Sequence, residues 1–174
     1  MMRGFVHQGE AGQPSVKPRR WVDGLLLATL ALLASIASLY GAWRLHPIIL
    51  DPETTDIWFD ADCAQLFEGL ISRWSADHRA IAHPLFYLVA GLPVRALWWG
   101  FGLEPVAAAR VVIAAVAGLS MGTLFALLRL IGCRRLDAVV FSLLGAVSAC
   151  AVFWFTMVET YPFGSLTILL ALLV

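Results

Sequence analysis

Three long stretches of this chain carry no charged side chain: residues 24–43, 111–128 and 138–158, which are twenty, eighteen and twenty-one residues long. A helix of about 20 apolar residues crosses a hydrocarbon core of roughly 30 Å, so these runs constrain the fold more than any other feature. A fourth apolar run, residues 163–174, is twelve residues long where the sequence ends. The mean hydropathy of +0.82 and a charged fraction of 14%, against roughly 25% in a soluble domain, agree with a chain built for lipid. The reading is an all-α, polytopic helical membrane protein.

The first run follows a polar, Gly/Gln/Pro/Ser-rich tail that ends in a basic patch, Lys17-Pro-Arg-Arg20. A signal peptide shares the basic front, but its apolar core is usually about 7–15 residues. The run is longer than that, so it is expected to be a retained transmembrane helix. Residues 1–21 are then expected to form a disordered, basic cytoplasmic tail, because Lys and Arg favour the inner side.

Charge placement sets the topology. Eight of the twelve acids fall between Leu45 and Glu104, with only Arg73, Arg79 and Arg95 as basic partners, while Arg129, Arg134 and Arg135 share one later turn. The segment 83–101 is apolar but interrupted by Pro84, Gly91, Pro93, Arg95 and Gly100, and its uninterrupted piece is eight residues. It is a crossing broken at Pro93, or a re-entrant or interfacial helix pair. As a crossing it would send the arginine-rich turn outside and Glu159 inside, against the positive-inside rule. Kept on the outer face, it leaves every charge cluster on its favoured side. The expected order is a crossing at 22–44, an outer loop with interfacial helices at 45–104, crossings at 105–131 and 138–158, and a cut-off crossing at 162–174. The N-terminus is cytoplasmic and the setting is an inner or plasma membrane.

Within the outer loop, Leu66, Phe67, Leu70, Ile71 and Trp74 recur at helical spacing, with Gln65, Gly69 and Arg73 on other faces. That pattern predicts an amphipathic helix lying along the membrane surface, with Asp62 at its first turn. The three cysteines (Cys63, Cys133, Cys150) are odd in number and widely spaced, which excludes a disulfide framework and a zinc pattern. They are expected to pack as small apolar residues. The net charge of zero gives no reason to invoke nucleic acid.

Three places hold candidate chemistry. Asp60-Ala-Asp62 offers close carboxylates, which suit a hard cation such as Mg²⁺ that takes one or two carboxylates together with substrate phosphate. Short acidic pairs are also common in solvated loops. His83-Pro84 opens an apolar segment, and Arg73, His78 and Arg79 add donors able to hold a phosphate. These residues equally suit a wet helix face or lipid headgroups. Glu159 is the one acid after Asp137 and emerges on the same side as Asp60 and Asp62 in the expected topology. An ionisable group at membrane depth is a functional candidate.

Taken together, FDAD in the first outer loop, RWSADHRAIAHPLF after it, the arginine-rich inner turn and FWFTMVETYPFGSL at the next outer turn resemble the front of GT-C class membrane glycosyltransferases. This group includes protein O-mannosyltransferase-like and aminoarabinose-transferase-like enzymes. The resemblance spans residues 22–174. It implies transfer of a sugar from a polyprenyl-phosphate carrier to a glycan, lipid or protein acceptor on the extracytoplasmic face. By the same resemblance Asp60 and Asp62 match the acidic motif, as catalytic base, acceptor-orienting group or ligands of a divalent metal (Mg or Mn). His83-Pro84 matches the His-Pro start of the following helix, and Glu159 the second acid. Arg73, His78 and Arg79 would stabilise the leaving phosphate. Such enzymes have many more crossings, so this sequence is expected to be the N-terminal part of one. A second reading is a non-catalytic membrane scaffold or lipid-binding assembly subunit. A transporter fragment fits less well, because transporters hold ionisable groups near the bilayer midplane and these acids lie in an outer loop.

Overall fold

The computed structural model describes residues 20–46, 63–72 and 84–174, and within them the chain is helical, with no strand. The helices are α1 (Arg20–Arg44), α2 (Cys63–Ile71), α3 (Pro84–Arg95), α4 (Pro105–Leu130), α5 (Arg135–Ala146), α6 (Ala149–Trp154) and α7 (Tyr161–Leu173). Two of them, α1 and α4, are long and apolar enough to cross a membrane. At 1.5 Å per residue they run roughly 37 and 39 Å.

These two helices lie antiparallel. Asp23 in the first turn of α1 meets Arg129 in the last turn of α4. Further along, Gly122 packs on Leu27 and Ala31, and Gly118 on Ala31 and Ser35. A Cβ added at Gly118 would come 2.7 Å from the Ala31 carbonyl oxygen. The contact therefore depends on the missing side chain, as in closely approaching helices that use small residues. In its most apolar window α4 is 56% buried and α1 only 11%. The central rod is thus α4, and α1 is a peripheral one whose Leu25, Leu32, Leu33, Ile36 and Trp43 remain exposed.

Local chemistry sets the ends of α4. Glu104 accepts hydrogen bonds from the Val106 and Ala107 amides at 3.1 and 3.0 Å, and Pro105 occupies the first turn, where its missing N–H costs nothing. At the other end Gly132 takes φ = +95°, a backbone conformation that favours glycine, and the chain turns back into α5.

Residues 138–158 do not form one uninterrupted helix. The helix stops at Ala146 and restarts at Ala149. Ser148 explains the break: its Oγ accepts from the Ala151 amide at 3.2 Å and donates to the Gly145 carbonyl at 2.8 Å. It thereby caps α6 and satisfies a carbonyl of α5. Helix α6 ends at Trp154, and the freed Phe155 carbonyl accepts from Ser38 Oγ of α1. Irregular backbone inside the bundle is tolerable because a neighbouring helix supplies the partner.

Pro93 does not break the segment that contains it. Helix α3 runs through it and widens into a π-helical turn over Ala96–Gly100. All the α4 residues in the cluster that buries α3 come from the first third of α4: Ala108, Ala109, Val112 and Ile113. The partners from elsewhere are Leu66 and Leu70 of α2 and Val158. Helix α3 is therefore packed at one end of α4.

The periodicity over 66–71 does give a helix, with Gln65 and Glu68 exposed and Leu66 and Leu70 each 1% exposed. Its apolar side is taken up by α3 and α4 within the protein. Gly69, expected on another face, is buried against the Tyr87 ring; a glycine has no side chain to register in a hydrophobic pattern, yet it permits the ring to approach. Of the cysteines, Cys63 is buried, Cys133 half-buried and Cys150 exposed, so the packing role expected of Cys150 is not seen. A second cluster, Leu30, Met121, Phe125 and Ala138, fills the opposite half of the bundle.

Candidate functional site

Chain reversals sort the polar groups into two ends. At the first, Arg129 and Arg135 both reach Asp23, at 3.4 and 2.6 Å. Arg129 also donates to the Cys133 carbonyl. Hydrogen bonding to Asp23 raises the Arg135 pKa above its ordinary value, reinforcing a charge that arginine already carries. One carboxylate thus ties α1, α4 and α5 together. The apolar-run reading missed Asp23. Its signal was an acid one residue before a charge-free run, opposite an arginine-rich turn.

Glu159 marks the second end. It lies in the non-helical link between α6 and α7, beside Met157 and Val158, and is 2% exposed. Its Oε2 accepts from the Thr160 amide at 3.1 Å. A carboxylate withdrawn this far from water is costly unless polar groups support it. This burial separates Glu159 from an ordinary solvated loop charge. The other expected site residues (Asp60, Asp62, Arg73, His78, Arg79 and His83) lie outside the described residues.

The elements flanking those residues are described, and they meet near Glu159. Leu66 follows Asp62 by four positions, Phe86 follows His83 by three, and Val158 precedes Glu159 directly. Leu66, Phe86 and Val158 belong to one buried cluster. Arg95, read from the sequence only as an interruption, has a specific task there. Its Nε donates to the Leu70 carbonyl at 3.0 Å and its Nη2 to the Ser72 carbonyl at 3.2 Å. These are unsatisfied acceptors at the C-terminus of α2, so Arg95 fixes where the chain leaves toward residue 73. An arginine inside an apolar helix must find such a partner, which is the signal that could have located it.

Between α3 and α7 runs a groove of about 560 Å³, lined by Leu85, Phe86, Val89, Thr160, Phe163 and Ile168 among others; Thr160 directly follows Glu159 in the chain. Phe86 and Phe163 meet edge to face at 5.2 Å across its floor. Among the described residues, this end offers a buried carboxylate one residue away from an apolar groove. Among the described residues no group of three or more His, Cys, Asp or Glu side chains converges on a point, so no metal centre is built from them alone. Comparisons with protein families, with curated proteins and with solved structures give no match.

Proposed function

We propose that this chain belongs to a multi-pass membrane glycosyltransferase that moves a sugar from a polyprenyl-phosphate carrier to an acceptor on the extracytoplasmic side. The observation that carries the reading is the burial of Glu159 between Val158, which shares a buried cluster with Leu66 and Phe86, and Thr160, which lines an apolar groove. In this reading the groove takes the isoprenoid tail of the carrier and sets its phosphate end near the polar link. An acceptor oxygen attacks the anomeric carbon, the bond from that carbon to the phosphate oxygen breaks, and the acceptor proton passes to a carboxylate. Asp60, Asp62 and Glu159 are the candidates for that base or for orienting the acceptor. Arg73, His78, Arg79 and His83 would hold the departing phosphate, where charge develops. A divalent metal on Asp60 and Asp62 would supply further neutralisation, and the steps above do not depend on it.

A scaffold or assembly subunit is the second reading, favoured by the exposed apolar residues of α1 and of α7, such as Ile168 and Leu172. The two separate in one assay. Transfer of labelled sugar from a polyprenyl-phosphate donor is measured in membranes carrying the longest natural form of the protein, with Asp60→Asn, Asp62→Asn and Glu159→Gln. A loss of about 100-fold or more in at least one variant, the usual scale for removing an acid–base group, supports the enzyme. Undiminished transfer in all three sinks it.

A further inference from the structure

The opposite end of the bundle has a use of its own. Among the described residues four arginines gather there, Arg20, Arg129, Arg134 and Arg135, against two acids, Asp23 and Asp137. They are not equivalent. Arg129 and Arg135 are turned inward onto Asp23. Arg20 and Arg134 are exposed, and neither pairs with another described residue. Arg20 lies one helical turn before Asp23, and Arg134 is bonded to Arg135, so both flank the internal pair. Around them Trp21, Leu130, Ile131 and Leu136 are 65–72% exposed.

Exposed apolar side chains beside free guanidiniums suit one environment, the boundary between acyl chains and headgroups. Arginine forks bind phosphate oxygens in pairs. We infer that this end is a docking surface for anionic phospholipid headgroups, held by Arg20 and Arg134 and seated by the apolar side chains around them. Asp23 divides the labour. By engaging Arg129 and Arg135 it joins three helices and leaves two cations directed at the leaflet. The inference rests on the membrane-spanning part of the proposed function and not on its chemistry.

The test measures binding of phosphatidylglycerol and phosphatidylcholine with matched acyl chains to the full chain in neutral detergent, by native mass spectrometry. Expected is a preference for phosphatidylglycerol that falls about five-fold for each of Arg20→Gln and Arg134→Gln, the scale of one basic residue at an anionic surface. Asp23→Asn should keep the preference, because the two outward arginines remain. An unchanged preference in the Arg20→Gln/Arg134→Gln double variant, with helical circular dichroism intact, would overturn the inference, as would loss of preference in Asp23→Asn with its fold retained. Recovery of the chain in the soluble fraction without detergent would instead overturn the membrane reading, a separate outcome.

Discussion

The two ends of the bundle solve the problem of charge in an apolar protein in opposite ways. At the basic end, long helices finish cleanly and one carboxylate, Asp23, is shared by arginines from α4 and α5. Both partners remain a quarter or more exposed. At the acidic end the elements are short or irregular: α2, the π-helical turn after α3, the brief α6 and the link at Phe155–Thr160. There a carboxylate is 2% exposed and an arginine is spent on backbone carbonyls. The basic end is an arrangement of side chains on a regular frame. The acidic end is an irregular backbone that side chains hold in place. Irregular backbone is where groups can be aimed at a ligand, and strained or special segments concentrate at such sites.

Breaking the seam that both ends share should have the largest effect. Gly118→Leu forces a branched side chain against Ala31 and Ser35. It is expected to cost about 3 kcal/mol, the upper part of the overpacking range, seen as a lowered Tm in detergent. Gly24→Ala, at an open helical site with nothing within 4 Å, should be neutral or stabilising by up to about 1 kcal/mol. Equal behaviour of the two would mean that α1 and α4 do not approach as described.

An intermediate effect is expected at the acidic end alone. Arg95→Met removes two charge-assisted hydrogen bonds and leaves the Leu70 and Ser72 carbonyls without that donor, a loss of about 2 kcal/mol. Hydrogen exchange should quicken in the α2 amides and stay unchanged around Arg129. Exchange that rises equally at both ends would erase the distinction drawn between them. The smallest effect belongs to the basic end. Asp23→Asn weakens a partly exposed pair, so about 1 kcal/mol is expected. A double-mutant cycle with Arg135→Gln should return most of that as coupling. Zero coupling would show that the pair is incidental.

Much of this was legible beforehand, and the failures share a cause. Residues 24–43 and 111–128 fall inside α1 and α4 because charge-free length is a one-dimensional property. The helix at 63–71 followed from the spacing of Leu66 and Leu70. The stop at Ala146 did not, because hydropathy gives Ser148 no weight, whereas its hydroxyl competes for backbone groups on both sides. Gly69 and Gly118 act through what they allow a neighbour to do, and the neighbour is distant in sequence. Asp23 carried no mark in the hydropathy pattern and Arg95 read only as an interruption; their roles depend on partners distant in sequence. Glu159 was singled out as an acid between apolar runs, but its burial depends on packing around Met157 and Val158. The six other expected site residues fall outside the described residues.

The claim that joins these observations is that the two ends face opposite sides of a membrane. It can be tested by accessibility in intact cells, in a background carrying Cys133→Ser and Cys150→Ser with buried Cys63 retained. Arg134→Cys and Glu104→Cys are introduced separately, both at exposed positions, and challenged with a membrane-impermeant maleimide. Labelling is expected for the Glu104→Cys protein in intact cells and for the Arg134→Cys protein only after lysis. Labelling of the Arg134→Cys protein in intact cells, or equal labelling of both, would contradict it.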